Sequence, residues 1–269
     1  MKINSTPLTR SLYPRLARLA LLATMAAAPL CSSLAGLVET IKLRSGYDEG
    51  PPGGPLLPGA LDTNITYTSG PAGAELNAGV LDFLAARSGS AAVTIAPFTG
   101  FWNPTLSTDL NARWINSDAF AGSNFGDPHS VLYAVPFTIQ STDFTSVKLD
   151  FSWLVDDALG DPAVGSNPYG VFIGMGTAAG VAVTPTISGG AFSGGPSTSS
   201  ADITNLVQTG QNYMYIYQRD GGFVVSGTIF SADITAVPEP STWAFGLGLF
   251  GICAGSFCRK NAPKGTKKS

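Results

Sequence analysis

The sequence predicts an all-β protein built around a single β-sandwich. Composition points that way: 32 glycines and 19 prolines among 269 residues, with 12% charged and 10% aromatic side chains, suit a turn-rich domain with its own core rather than a disordered chain or a coiled coil. Short runs of period-two alternation recur along the interior, the pattern of half-buried antiparallel strands. Amphipathic helix is nearly lacking. The best stretch, "GAELNAGVLDFLAA" (73–86), is weakened by two glycines.

Both ends are set aside before the sandwich is read. Residues 1–35 have the form of a signal peptide. Lys2, Arg10, Arg15 and Arg18 precede the apolar stretch "LALLATMAAAPL" (19–30), and small residues at Ser33 and Ala35 place signal peptidase cleavage before Gly36. All 18 acidic residues lie between Glu39 and Glu239, alongside six basic ones, so the middle carries a net −12 and the remaining cations sit at the two ends. That distribution is the positive-inside pattern of a translocated middle, and an acidic middle excludes nucleic acid as a partner. Cys31, Cys253 and Cys258 all fall in the terminal segments. The exported part therefore has no disulfide framework and depends on its core.

Residues 36–60 are punctuated by "SGYDEGPPGGPLLPG" and read as an irregular segment. The sandwich is expected over 61–235, with strands at 64–69, 91–96, 112–116, 131–139, 146–155, 170–176, 180–187, 211–218 and 221–234. Two are clearest. Val131, Tyr133, Val135, Phe137 and Ile139 share one face. Val147, Leu149, Phe151, Trp153 and Val155 share another, opposite Ser146, Lys148, Asp150 and Ser152. The short polar link between them predicts a hairpin, and Pro136 predicts an edge or a bulge. The loop "SGGAFSGGPSTSS" (188–200) lacks the lysine and following helix of a phosphate-binding loop.

Few residues carry candidate chemistry. Asp156, Asp157 and Asp161 in "DDALGDP" offer hard oxygen ligands for Ca²⁺, or serve as turn formers; adjacent aspartates on a strand end diverge, so they are a poor glycosidase pair. His129, the single histidine, lies in the turn "GDPHS" without a nucleophile elbow, and with no cysteine in the exported part the common zinc sites are excluded. Trp153 falls on an apolar strand face and belongs to the core. Trp102 in "TGFWNPT" is the best exposed candidate for stacking on a glycan, or else a plug at a sheet end; Tyr213, Tyr215 and Tyr217 form a second aromatic row. No catalytic constellation emerges, and no cofactor is expected beyond the Ca²⁺ option.

The chain ends in a three-part module over 236–269. Pro238, Glu239 and Pro240 come first. Residues 242–258, "TWAFGLGLFGICAGSFC", contain no charge and would span about 25 Å as a helix, enough for a thin bilayer, with Trp243 at the interface. The basic tail 259–269 follows. Proline fixes φ and removes amide donors, so the tripeptide is expected to stand extended between a domain ending near Thr235 and a helix starting near Thr242.

Two resemblances follow from these stretches. "ARWIN", "YAVPFTI", "LDFSWLVDDALGD", "GVFIGMG" and "DITNLVQTGQNYMYIY" resemble the galactose-binding-like jelly-roll domains of exported bacterial proteins; the paired Asp156 and Asp157, and the turn of Asp202, Thr204 and Leu206 followed by Gly210 and Asn212, match that pattern. "VPEPST" (237–242), the apolar span and the basic tail resemble a PEP-CTERM sorting signal. This second resemblance implies recognition of Pro238, Glu239 and Pro240 by an exosortase. It also implies an inner-membrane-tethered precursor in a Gram-negative bacterium, and a final place at the cell surface or in the extracellular matrix beside exopolysaccharide and biofilm. The expectation is a non-enzymatic surface protein that contacts extracellular polysaccharide. The alternatives are a secreted glycan-active enzyme of the glycoside hydrolase type, or a Ca²⁺-stabilised adhesion module.

Overall fold

Strands form where the sequence alternates, and their apolar faces meet in one core. The computed structural model describes residues 37–70, 75–118, 129–160, 167–221 and 225–239. The expected signal peptide, membrane helix and basic tail, and the candidates Asp161 and Pro240, lie outside these residues. Among the described residues, no helix is long and apolar enough to cross a membrane.

The strands are β1 (Glu39–Arg44), β2 (Tyr47–Asp48), β3 (Gly54–Pro55), β4 (Leu61–Ser69), β5 (Ser90–Thr94), β6 (Ile115–Asn116), β7 (His129–Ile139), β8 (Phe144–Val155), β9 (Ala158–Leu159), β10 (Val171–Met175), β11 (Val181–Ala182), β12 (Ser197–Asp202), β13 (Gly210–Asp220) and β14 (Thr228–Pro238). Twelve of them form one antiparallel sheet in the order β11-β10-β13-β7-β4-β5-β6-β14-β8-β12, with β1 added to β14 and β9 to β13. The sheet curls into a sandwich-like, all-β fold. The inward residues of β7, β10 and β13 meet those of β8 and β14 in one core that includes Tyr133, Phe137, Leu149, Phe151, Met214 and Phe230.

The two clearest strands do not form the expected hairpin. β7 pairs with β4 and β13, whereas β8 pairs with β12 and β14. Each strand carries a full apolar face. Crossing the core sets these two apolar faces opposite each other, where they bury one another. Glu39 fixes the crossing: its carboxylate accepts hydrogen bonds from the amides of Gln140, at 2.9 Å, and Ser141, at 3.0 Å. β4 pairs with β7 only up to Ala134. Pro136 therefore stands where β7 has lost this neighbour, and it is exposed, as a residue without an amide donor requires.

The segment expected to be irregular contributes β1, which pairs with β14 from Glu39 opposite Ala236 to Arg44 opposite Ser231. β14 also runs further than expected, to Pro238 opposite Phe144, with a register shift between Val237 and Pro238. The first proline of the terminal tripeptide thus closes the sheet instead of standing clear of it. A final strand position has no further ladder amide to supply, so proline is tolerated there.

The one described α-helix, α1 (Val80–Arg87), occupies only the end of the stretch proposed for it. Its start is marked by the Asp82 carboxylate, which accepts the Gly79 amide at 2.8 Å. Phe83 and Ala86 cover the outward residues Leu132, Ala134, Phe172, Tyr215 and Tyr217 in a second apolar cluster.

Candidate functional site

The outward face of β8 and β14 is polar along most of its length and turns apolar at Leu154 and Ile229, which stand opposite each other. Such an apolar end needs cover. The connection between β5 and β6 supplies it with Ile95, Trp102, Leu106, Ala112 and Trp114. Trp102 is only 6% exposed. Its ring lies 4.3 Å from that of Trp114 at 30°, and the Trp114 indole donates to the carbonyl of Asn103 at 2.7 Å. The expectation of an open Trp102 platform is therefore corrected: this tryptophan is the plug, buried because the sheet end beneath it is apolar.

Its neighbours are displayed instead. The amides of Phe101 and Trp102 both donate to the carbonyl of Phe98, at 3.1 and 3.0 Å, closing a tight turn through Gly100 at φ +83°. Phe98 and Phe101 are 44% and 62% exposed, with ring centroids 5.4 Å apart. The Gly/Ser loop before β12 is tied to this turn: the Asn103 amide donates to the Phe192 carbonyl at 3.0 Å, and its side-chain amide donates to the carbonyl of Gly194. Phe192 is also exposed, at 37%.

The tyrosine row is not a platform either. Tyr215 and Tyr217 are fully buried under α1, and the Tyr217 hydroxyl donates to the Leu76 carbonyl at 2.8 Å. Phe83 packs 4.7 Å from Tyr215, and burial pushes the Tyr215 phenol up to about 12. Tyr213 is half-buried under the Arg87 guanidinium, 5.1 Å from its ring centre. Trp153 is inside, as its strand face implied, with its indole donating to the Gly189 carbonyl at 2.9 Å.

Of the proposed metal ligands, the described residues include Asp156 and Asp157. Asp156 is buried at the end of β8, where its amide donates to the Gly227 carbonyl at 3.0 Å. Burial and the neighbouring charges of Asp157 and Asp220 push its carboxyl up to about 7, against a hydrogen bond from Trp102. Asp157 takes the left-handed backbone, φ +61°, and accepts the Gly221 amide at 2.5 Å, which is a turn-forming role. Among the described residues, no three His, Cys, Asp or Glu side chains are grouped to hold a metal ion. His129 begins β7 opposite Asp220.

The remaining motif residues build turns. The Asp202 carboxylate accepts the amide and hydroxyl of Thr204, at 2.9 and 2.5 Å, and Thr204 accepts the Val147 amide at 2.8 Å. Leu206 packs on the main core. Gly210 has φ +91°, and Asn212 exchanges hydrogen bonds with Gln208 at 2.9 and 2.7 Å.

The polar part of the outward face forms a shallow groove of about 150 Å³ lined by Lys42, Thr108, Asp150, Ser152, Ser200 and Asp233 among others. Asp150 and Asp233 stand opposite each other on β8 and β14. Each carries a cation: Lys148 reaches Asp150 at 2.7 Å and Lys42 reaches Asp233 at 2.9 Å. Partial burial would raise the Asp150 carboxyl, but hydrogen bonds from Lys148 and Ser200 outweigh it and hold it below its ordinary value. A glycosidase acid must instead keep its proton near neutral pH, so Asp150 is unsuited to that role. The structure thus brings together an ion-paired groove and an exposed phenyl pair, neither of which was singled out from the sequence. No family model matches this chain, and no curated protein resembles it significantly.

Proposed function

We propose that this chain is an exported, non-enzymatic surface or matrix protein whose C-terminal Pro238-Glu239-Pro240 stretch is read by an exosortase. One observation carries the reading: the last strand delivers the folded domain to the first residue of that stretch. β14 pairs through Pro238, and Glu239 is exposed. A membrane processing enzyme needs accessible backbone beside a folded body, and an exposed Glu239 directly after the last strand position supports that reading. We read the sandwich itself as a galactose-binding-like jelly-roll. That assignment is supported by the Asp202–Thr204–Leu206 turn, which leads through Gly210 and Asn212 into β13.

The glycan-active enzyme is the second reading, and one carboxyl favours it. Asp156 keeps a proton near neutral pH. Yet it is buried at the end of β8, whereas a catalytic acid must touch the sugar it protonates. The deciding experiment is intact-mass measurement of the exported protein, beside a variant with Pro238, Glu239 and Pro240 replaced by alanine. The reading expects a released product lacking the tail and a variant retained in the inner membrane. A full-length exported product, or unchanged release of the variant, overturns it.

A further inference from the structure

We infer that Phe98, Phe101 and Phe192 form a binding platform for a neutral polysaccharide, held in shape by the buried residues beneath it. The inference rests on the extracellular setting proposed above and goes beyond it by assigning the contact.

The first support is rigidity. Phe98 and Phe101 sit on a turn closed by two backbone hydrogen bonds to one carbonyl, and the next residue in the chain, Trp102, anchors that turn by packing on Trp114 in a buried cluster. Phe192 is held from both sides. The carbonyl of the preceding Ala191 accepts the Val155 amide of β8 at 3.1 Å, and its own carbonyl accepts the Asn103 amide at 3.0 Å. Backbone fixed in this way loses little freedom on binding, which lowers one cost of recognition by a loop.

The second support is charge. The turn belongs to residues 88–108 and the loop to residues 162–201, and neither stretch contains a charged residue. In a chain whose middle carries a net −12, an uncharged aromatic surface offers no cation to an anionic polymer or an anionic lipid surface. It does complement a neutral sugar chain. The C–H faces of the sugar rings stack on phenyl rings, and the sugar hydroxyls find exposed partners in Thr99 and Ser193. Exposed aromatic groups on a rigid surface mark an interaction site more often than chance. The adjacent Trp102 cannot serve, because its ring is already spent on the sheet end.

The test is affinity electrophoresis of the full chain in native gels containing dextran, hydroxyethylcellulose or galactomannan. Gels with alginate supply the anionic control, and co-sedimentation with phosphatidylcholine vesicles supplies a lipid arm. The wild-type chain is expected to be retarded by at least one neutral polymer. The double variant F98A/F101A is expected to lose about tenfold or more of that affinity, and F192A to lose part of it, with unfolding midpoints unchanged because the rings are exposed. No retardation by any of the three neutral polymers overturns the inference, as does retardation that the double variant retains. Vesicle binding abolished by the double variant also overturns it, by assigning the patch to lipid. A negative result here with normal C-terminal processing leaves the sorting proposal standing. Normal retardation with a full-length exported product sinks sorting but not the platform.

Discussion

The indole of Trp102 stands beside the carboxyl of Asp156 and partly offsets the rise that burial imposes on it, setting the turn that displays the phenyl pair next to the end of β8. The link has a pH signature. The folded Asp156 carboxyl titrates at about 7, whereas an unfolded aspartate titrates near ~3.9. The folded state therefore holds its proton more tightly. Its contribution is complete below the unfolded value, falls as pH rises through the interval, and levels off above 7 as a penalty for the buried charge. Asp156→Asn keeps an acceptor for Trp102 and removes the charge. Thermal melts should show this variant more stable than wild type at pH 8, by at most about 4 kcal/mol, and the two should converge at pH 4. A variant less stable than wild type at pH 8 would show that the charge is supported in the fold.

Asp109 titrates in the opposite sense. It is nearly buried and receives Arg44 Nε and the Ser231 hydroxyl, both at 2.8 Å. Burial alone would raise its carboxyl, but the Ser231 and Arg44 hydrogen bonds prevail and hold it low. Its stabilisation is therefore present above the ordinary aspartate range and is lost as pH falls through the depressed folded value. Asp109→Ala should cost about 3 kcal/mol in urea unfolding at neutral pH, because it removes the nearest carboxylate of Arg44 and the acceptor of Ser231. That deficit should shrink in strong acid. An equal loss at both pH values would assign the effect to packing.

These two residues also show what the sequence could and could not yield. Period-two alternation told which way Val147, Leu149, Phe151 and Trp153 point, because alternation reports a face. It did not tell that β8 pairs with β14 and β12 rather than with β7, because a pairing partner is not encoded in the face. Alternation likewise leaves Trp102 of "GFWNP" open between an exposed platform and a plug of a sheet end, and the structure shows the plug. Two adjacent aromatics with one role each are distinguishable only by the surface beneath them. A signal was present: Ser146, Lys148, Asp150 and Ser152 alternate as the wet face of β8, and Leu154 breaks the series with an apolar residue. That break marks the place where the face is covered. The ionisation of Asp156 is illegible in the sequence because its largest cause is burial, set by tertiary packing, and a lesser one is Asp220, more than sixty residues away in the chain.

Helix α1 is short and exposes Val80, Leu81 and Leu84, so the largest apolar part of its hold on the sheet is Phe83, whose ring stands 4.7 Å from Tyr215 and 5.2 Å from Phe172, beside Ala86 and the Arg87 hydrogen bonds to the loop after β10. Phe83→Ala should destabilise the domain by about 3–4 kcal/mol and expose Tyr215. Hydrogen exchange should then speed up in α1 and in the outer strands β10 and β11 before it does in β8. Uniform acceleration would show that the helix has no separate anchoring role.

The end of β14 fixes where trimming of the chain must stop. Ala236 pairs with Val147 and Val237 with Ser146, and the Thr145 hydroxyl donates to the Val237 carbonyl at 3.3 Å. Pro238 makes the last pair, one step out of register. Cutting before Pro238 requires these pairs to peel away from β8 first, whereas cutting after it does not disturb the sheet. The protected fragment left by proteinase K acting on the full chain should therefore end at Pro238 or Glu239 by mass. Thr145→Val, which removes the hydroxyl bond to Val237, should let trimming move inward without unfolding the sandwich. A wild-type fragment ending at or before Thr235 would show that the last pairs of β14 are open in solution and that Pro238 is part of the free tail.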